Sequence, residues 1–243
     1  MTRLEAPPLP RKGHALFLDF DGTLVELAEA PDAISVAPVL GGLLARLGER
    51  LNGRIAIVSG RALGDLDAHL SLQGIAASGS HGNELRLSGG DATSAAPLDG
   101  LAWAIAQVQA FAEERRGLLV EAKPAGVALH YRQAPEREGE VLTQMTTLAD
   151  ATGLHVQRGK MVAELRPAGA DKGSALRRLM TEPAFAGAIP LFVGDDITDE
   201  DGFAAAARMG GGGVLVGAPR ESAARWGLAD VSAVLNWLQA AAK

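Results

Sequence analysis

Two clusters of aspartates follow two apolar runs that lie far apart in the chain. Asp19 and Asp21 follow the run 15–18, and five acids within residues 195–201 follow the run 189–193. A carboxylate at the end of a buried strand is costly to desolvate unless a cation neutralises it. Because oxygen ligands suit Mg²⁺ and the chain has no cysteine, we predict that both clusters bind one Mg²⁺.

The spacing of Asp19 and Asp21 suits phosphoryl transfer. Residues two apart in an extended segment point the same way, so both carboxylates can reach one substrate. Attack by Asp19 on phosphorus would form an aspartyl-phosphate. Asp21 could protonate the leaving alkoxide and then activate the water that hydrolyses the intermediate. An isolated pair with this spacing also fits an ordinary turn, so the functional interpretation depends on the rest of the chain.

A serine and a lysine at predicted helix starts provide further candidate groups. Ser59 follows the predicted strand 54–58, where a hydroxyl and free backbone N–H groups can hold a phosphoryl oxygen. Lys172 opens another helix, although a cation there opposes the helix dipole. That mismatch favours a role for Lys172 in neutralising Asp19 and the phosphoryl group. The structural alternatives are a capping serine and a surface lysine.

The first and last thirds of the chain alternate between strand and helix patterns. Such alternation predicts a mostly parallel sheet with helices on both faces and with catalytic groups at the carboxyl ends of the strands. The predicted strands are 15–20, 54–58, 74–78, 189–193 and 213–216, and the predicted helices lie near 38–51, 61–70, 172–180, 199–208 and 231–241.

The middle third has a different pattern and is predicted to be an inserted domain. Its strands are predicted near 84–88, 118–123, 126–132, 154–158 and 162–166, and its helices near 98–116 and 137–151. This order indicates an antiparallel sheet with two helices on one face, with turns at Pro124 and Lys160. We therefore predict an α/β catalytic core of residues 1–83 and 166–243, and an α/β cap of residues 84–165.

Composition narrows the class of protein. The chain has 243 residues, of which 47% are hydrophobic, and a net charge of −6 that argues against nucleic acid or anionic membrane as the main partner. Without cysteine there is no disulfide and no thiol nucleophile. No apolar stretch reaches the roughly 18 residues of a membrane span, and we expect no signal peptide. We expect a monomeric cytoplasmic enzyme that acts on a small molecule.

Four segments, in this order, resemble the motifs of the haloacid dehalogenase-like (HAD) phosphatase superfamily. They are DFDGTL at 19–24, Ser59, Lys172 and GDDITDED at 194–201. Other details are similar to trehalose-6-phosphate phosphatases, namely SGR at 59–61, SHG at 80–82, VALHYR at 127–132, ELRP at 164–167 and TDED at 198–201. The resemblance implies a Rossmann-like core with an inserted α/β cap. It also implies hydrolysis of trehalose 6-phosphate to trehalose and phosphate, the final step of trehalose biosynthesis.

With this resemblance we assign expected roles. The metal ligands are the carboxylates of Asp19 and Asp195 and the backbone carbonyl of Asp21, while Asp196 and Asp199 orient metal-bound water. Catalysis is assigned to Asp19, Asp21, Ser59 and Lys172. Substrate binding is expected from Arg61, His81, Gly82 and Asn83 in the core and from Glu121, Lys123, His130, Arg132 and Glu164 in the cap. The cap residues could instead decorate the polar face of an antiparallel sheet.

Three other functions stay open at this point. The first is a phosphatase for another sugar phosphate, such as sucrose phosphate or a glycosyl-phosphoglycerate. The second is a phosphomutase, which passes the phosphoryl group to a sugar instead of water. The third is a sugar-phosphate sensor without catalysis, against which the intact set of Asp19, Asp21, Lys172 and Asp195 argues.

Overall fold

The apolar run before Asp19 forms a strand, β1 (His14–Leu18), in which every residue is buried. The structure is a computed structural model that describes residues 4–27, 34–72, 74–94, 100–123, 125–159 and 161–243. The chain divides into two compact units. Met1–Thr93 with Asp171–Lys243 is called the core, and Ser94–Ala170 is called the cap.

Strands and helices alternate in the core and follow another order in the cap. The strands after β1 are β2 (Ile55–Val58), β3 (Ala76–Gly79), β4 (Glu84–Arg86), β5 (Ala92–Ser94), β6 (Leu119–Lys123), β7 (Gly126–His130), β8 (His155–Gly159), β9 (Val162–Arg166), β10 (Ile189–Gly194), β11 (Gly212–Val216) and β12 (Trp226–Leu228). The helices are α1 (Leu40–Arg50), α2 (Leu63–His69), α3 (Leu101–Glu113), α4 (Glu138–Thr152), α5 (Lys172–Met180), α6 (Glu200–Arg208) and α7 (Val231–Ala241). Within the described residues, none of these helices is long and apolar enough to cross a membrane.

The core sheet confirms the predicted parallel α/β architecture. Its strand order is β12-β11-β10-β1-β2-β3-β4-β5. Strand β1 is central and pairs in parallel with β10 on one side and β2 on the other. Because parallel neighbours end at the same edge of a sheet, the residues that follow β1, β2 and β10 are brought together.

Side chains of the core sheet alternate between two apolar layers. In β1, Leu16 and Leu18 pack in one layer with residues of α1, α2 and α7. Ala15 and Phe17 pack in the other layer with residues of α5 and α6. A sheet buried on both faces explains why its strands read as continuous apolar runs rather than as alternating ones.

The predicted boundaries of the cap differ from the structure. Strand β4, which we assigned to the cap, pairs antiparallel with β3, with Leu85 opposite Ser78. The tight turn at residues 80–82 returns the chain alongside β3, and Leu85 is buried in the core. The cap therefore begins at residue 94 rather than 84, and it ends at residue 170 rather than 165.

The cap contains the predicted antiparallel sheet with two helices on one face. The strand order is β6-β7-β9-β8, and every neighbouring pair is antiparallel. Inward side chains of β7 and β9 pack with those of α3 and α4 in one apolar cluster. The predicted turn residues Pro124 and Lys160 lie outside the described residues. Strand β7 ends at His130 rather than at residue 132 as predicted, so Arg132 lies in a turn.

Candidate active site

Three of the residues that we predicted for the active site follow three neighbouring strands of the core sheet. Asp19 follows β1, Ser59 follows β2 and Asp195 follows β10. The backbone N–H of Asp19 donates to the carbonyl of Val193 at 2.9 Å, which continues the pairing of β1 with β10. The parallel register thus places a carboxylate, a hydroxyl and a second carboxylate at one edge of the sheet.

Lys172 is the buried centre of the site. Its Nζ donates to Oδ1 of Asp19 at 2.7 Å and to Oδ1 of Asp199 at 2.6 Å. Lys172 is the first residue of α5, and the preceding residue, Asp171, forms a capping box with Ser174. The lysine is only 4% exposed, so it is not the surface residue of the structural alternative.

A group of three carboxylates fits a divalent cation. Ligand oxygens of Asp19, Asp195 and Asp199 all lie within 4.8 Å of one another. With Lys172 as the neighbouring cation, three negative charges face one positive charge. Burial makes such an excess of negative charge unfavourable unless a cation balances it. Hard oxygen donors of this kind suit Mg²⁺, Mn²⁺ or Ca²⁺.

Burial and the close approach of the carboxylates shift the pKa values of the site. Burial raises the pKa of Asp19 well above its usual range; Lys172 opposes the shift, and the Asp199 and Asp195 carboxylates add to it. Burial and the charge of Asp199 raise the pKa of Asp195 to about 6. Burial would lower the pKa of Lys172, but Asp19 and Asp199 outweigh it and raise that pKa. A bound cation would keep the carboxylates ionised, because it favours their charged form.

Asp199 holds the loop that carries Asp195. Its Oδ2 accepts the backbone N–H groups of Asp195 at 3.0 Å and of Asp196 at 2.9 Å. Asp196 itself is exposed, and its carboxylate accepts the N–H of Ile197 at the start of a short 3₁₀ helix. The structure therefore brings Asp199 into the acid cluster but not the carboxylate of Asp196, because that side chain caps its own turn.

Asp21 is paired with an arginine that we predicted as a substrate ligand. Nε of Arg61 donates to Oδ2 of Asp21 at 2.7 Å, and Nη2 donates to Oδ1 at 2.8 Å. Nη1 of Arg61 contacts Asp65 at 2.6 Å. Burial would lower the pKa of the guanidinium, but the hydrogen bonds and charges of Asp21 and Asp65 raise it. Arg61 thus binds two carboxylates of the protein in this state.

The loop after β3 packs against the loop after β2. Oγ of Ser59 accepts the backbone N–H of Arg61 at 3.1 Å, which leaves the hydroxyl proton for another acceptor. The backbone N–H of His81 donates to the carbonyl of Ser59 at 3.1 Å. The His81 ring lies against Gly60, where an added Cβ would come within 2.6 Å of it. His81 also has a left-handed backbone, with φ of 54°, which is uncommon for a residue other than glycine.

Gly82 and Asn83 shape this loop from within. Gly82 has φ of +102°, and a Cβ there would meet the carbonyl of Asp171 at 2.9 Å. Asn83 is buried, and its Nδ2 donates to the carbonyl of Ser80 at 2.8 Å. The structure therefore gives Asn83 a role in holding the turn, and its contact with substrate stays a prediction.

Four of the five predicted cap residues form two pairs on the sheet. Nζ of Lys123 contacts Oε2 of Glu164 at 2.8 Å, and Nε2 of His130 lies 2.9 Å from Oε2 of Glu121. Glu121 and Glu164 both lie opposite Ala128, on either side of it. Val127 and Leu129, on either side of Ala128 along β7, point into the apolar cluster with the helices. Because side chains alternate between the faces of a sheet, Ala128, Glu121 and Glu164 lie on the face away from the helices.

Comparison with known proteins identifies the family. The model of the trehalose-phosphatase family matches residues 17–232. The chain belongs to the trehalose-phosphatase family. The "Trehalose-6-phosphate phosphatase" of Escherichia coli K12 is 37% identical, over 97% of this chain and 88% of its own. A "Probable trehalose-phosphate phosphatase" of Sinorhizobium fredii NGR234 is 40% identical, over 84% of this chain and 78% of its own.

A solved structure supports the same assignment. A trehalose-6-phosphate phosphatase related protein superposes with a TM-score of 0.79 at 26% identity, over 94% of this chain and 96% of its own. Phosphatases of the HAD superfamily share the fold at lower identity. The predicted family is confirmed, and with it the class of phosphoric monoester hydrolases.

Some residues of the site were not predicted from the sequence. Oγ1 of Thr23 lies 3.5 Å from Oδ1 of Asp195, and Thr23 is fully buried beside the first aspartate motif. Arg220 donates to the carbonyl of Asp196 at 2.8 Å and also pairs with Glu200, which ties a distant loop to the acid loop. Thr23 lies inside the motif DFDGTL at 19–24, so the sequence could have indicated it as a site residue. Arg220 lies in no motif, so nothing in the sequence around it indicates its contact with the acid loop.

Gly22 offers a test of the acid cluster. Its φ is +78°, and an added Cβ would lie 2.2 Å from Oδ2 of Asp195. Gly22→Ala should therefore push the Asp195 carboxylate out of the cluster and weaken Mg²⁺ or Mn²⁺ binding by about 10–100-fold, as when a ligand loses its orientation. Calorimetric titration of the metal would measure this loss.

A matched control separates this clash from backbone strain. Gly53 also has φ of +78°, but an added Cβ there meets nothing within 4 Å. Gly53→Ala should cost similar backbone strain, of about 1–2 kcal/mol, and leave metal affinity unchanged. Equal metal affinities for the two variants would contradict the role given to Gly22.

Proposed function

We propose that this chain is a Mg²⁺-dependent phosphatase that hydrolyses trehalose 6-phosphate to trehalose and inorganic phosphate. The observation that carries the proposal is the buried contact of Lys172 with Asp19 and Asp199, beside Asp195 at the carboxyl edge of the core sheet. Membership of the trehalose-phosphatase family supports the substrate.

Asp19 is assigned as the nucleophile. Its Oδ1 accepts from Lys172, which fixes the carboxylate and leaves Oδ2 to attack phosphorus. A P–O bond to Asp19 forms as the bond from phosphorus to the sugar oxygen breaks. Water then attacks the phosphorus of the aspartyl-phosphate, which releases inorganic phosphate and restores Asp19.

Asp21 is assigned as the general acid and base. It gives a proton to the departing sugar oxygen in the first step and takes one from water in the second. In the present state both of its oxygens accept hydrogen bonds from the planar guanidinium of Arg61. At least one of these contacts must therefore break before Asp21 can carry the proton.

The metal and the phosphoryl group have separate ligands in this proposal. Asp19, Asp195 and the backbone carbonyl of Asp21 would hold Mg²⁺, and Asp199 would orient its waters. When bound, Mg²⁺ stabilises the negative charge that develops on the transferring phosphoryl oxygens. The hydroxyl of Ser59 and the ammonium of Lys172 bind phosphoryl oxygens.

Selection of the sugar is assigned to the polar face of the cap sheet. Glu121, Lys123, His130 and Glu164 concentrate charged and polar groups on strands whose other face is apolar. Glu164 is only 8% exposed, and a buried carboxylate can make directional hydrogen bonds to sugar hydroxyls. Arg132, in the turn after β7, completes this set.

Release of inorganic phosphate from a panel of sugar phosphates tests the proposal. The panel contains trehalose 6-phosphate, sucrose phosphate, a glycosyl-phosphoglycerate and glucose 6-phosphate, with Mg²⁺ and after exhaustive chelation. We expect the highest kcat/KM for trehalose 6-phosphate and no turnover without metal. A higher kcat/KM for another sugar phosphate would contradict the proposed substrate. Full activity after chelation would contradict the proposed metal dependence.

The same panel tests the cap with Glu164→Ala. Loss of a buried polar contact costs about 1–3 kcal/mol, so kcat/KM for trehalose 6-phosphate should fall by roughly 10–100-fold. Turnover of para-nitrophenyl phosphate, which has no sugar, should change little. Glu140→Ala is the matched control, because Glu140 pairs with Arg115 and Arg137 on the helical side of the cap. Equal losses on both substrates would show that Glu164 supports the fold rather than selectivity.

A further inference from the structure

Asp21 is held by a chain of ion pairs that leads away from the acid cluster. Its carboxylate makes the two-point contact with Arg61 described above, and the third nitrogen of that guanidinium contacts Oδ2 of Asp65 at 2.6 Å. The Arg61 side chain is 11% exposed, whereas that of Asp65 is 43% exposed. A largely buried guanidinium thus lies between a candidate catalytic carboxylate and a carboxylate nearer the surface.

The geometry of this chain constrains the plane of Asp21. A planar guanidinium that donates through Nε and Nη2 aligns the bound carboxylate with its own plane. A contact at Nη1, on the other side of the fork, then limits rotation of the guanidinium itself. Asp65 lies in the first turn of α2, and its position is therefore set by the helix rather than by a loop.

We propose that Asp65 is a positioning residue for Asp21 and acts through Arg61. The inference rests on the proposed function, in which Asp21 protonates the departing sugar oxygen. Proton transfer depends on orientation, and a misplaced acid loses much of its effect. Asp65 keeps Arg61 in place while Asp21 exchanges its contact with Arg61 for one with the substrate.

The alternative is that Asp65 only stabilises α2. A neighbouring ion pair on the same helix provides the comparison. Asp67 makes a two-point contact with Arg86 at 2.6 and 2.7 Å, and Arg86 contacts none of the assigned catalytic groups. Asp67→Asn therefore removes the same kind of charge from the same helix without altering the chain of contacts to Asp21.

The test uses phenyl phosphates graded by the acidity of the leaving phenol, together with trehalose 6-phosphate. An acidic phenol leaves without a proton, whereas a weakly acidic phenol or a sugar alcohol needs one. The value of kcat/KM includes the step in which the leaving group departs. Asp65→Asn should lower kcat/KM for trehalose 6-phosphate and for the least acidic phenols by about tenfold, a fraction of the roughly 10²–10⁴-fold that a general acid supplies.

The expected signature is a steeper dependence of kcat/KM on the leaving group. Asp65→Asn should leave the most acidic phenyl phosphate within about twofold of the wild type, Asp65→Glu should restore part of the loss, and Asp67→Asn should change neither end of the series. Equal loss across the series, or no loss, would overturn the inference. If trehalose 6-phosphate is not hydrolysed by the wild type, the proposed substrate fails, but the phenyl series still decides the role of Asp65.

Discussion

Replacement of Asp19 by asparagine is expected to bring phosphate release to background while the protein stays folded. Asparagine keeps the size of the side chain but is a poor nucleophile, so the aspartyl-phosphate cannot form. The fold should tolerate the change because Lys172 retains its contact with Asp199 at 2.6 Å. Nucleophile loss in enzymes with covalent intermediates costs on the order of 10⁴–10⁶ in kcat, which makes this the largest expected effect.

The measurement is phosphate release from trehalose 6-phosphate, with thermal unfolding and metal titration as checks on the variant. Asp230→Asn is the control, because it makes the same chemical change at a carboxylate that caps α7 through the N–H of Ala233. Near-normal turnover by Asp19→Asn, with metal binding intact, would exclude the covalent mechanism. Residual activity of a few parts in a million would fit the proposal.

Lys172→Met is expected to lower the free energy of unfolding by about 3–5 kcal/mol, in addition to abolishing turnover. Methionine fills much of the volume but removes the ammonium that contacts Asp19 and Asp199. Three carboxylates then remain close together with their neutralising partner gone, and removing one partner of a buried ion pair carries a penalty of that size. Denaturant unfolding without metal measures the change.

Two companion measurements identify the cause of the loss. The double variant with Asp199→Asn should recover part of the stability, because one of the repelling charges is gone while an amide oxygen can still accept the loop N–H groups. Added Mg²⁺ should stabilise the single variant more than the wild type. If Lys172→Met unfolds with an unchanged free energy, the ion pair contributes nothing to the fold.

The carboxyl edge of the core sheet was predictable from the sequence. Asp19, Ser59 and Asp195 each follow a short apolar run, and parallel strands buried on both faces read as such runs. Helix starts were also well marked, since Asp171 and Asp230 both precede their helices and accept backbone N–H groups. Each of these signals lies within a few consecutive residues, so it can be recognised in the sequence without knowledge of the tertiary structure.

The remaining features depend on contacts between distant segments. A short strand such as β4 has no sequence signal for which sheet it joins, and its partner is decided by the turn at residues 80–82. The contact of Arg61 with Asp21 joins two loops 40 residues apart. Strands β5 and β12 have three residues each, too few to show a period. Side-chain partners and short strands were therefore beyond what periodicity can predict.

The return of the chain from the cap to the core has a consequence for modularity. Ala170 is the last residue of the cap, Asp171 is the first of the returning core segment, and Lys172 follows. The conformation of Asp171 is set by Ser174 in the same helix, through the reciprocal capping contacts. On the core side of the junction, the start of α5 is therefore stabilised by contacts within the core segment itself. Exchange of the cap for that of a relative needs two junctions, and the one between residues 170 and 171 leaves the segment that carries the lysine uncut. Under the proposed function, such an exchange should transfer the sugar selectivity together with the cap.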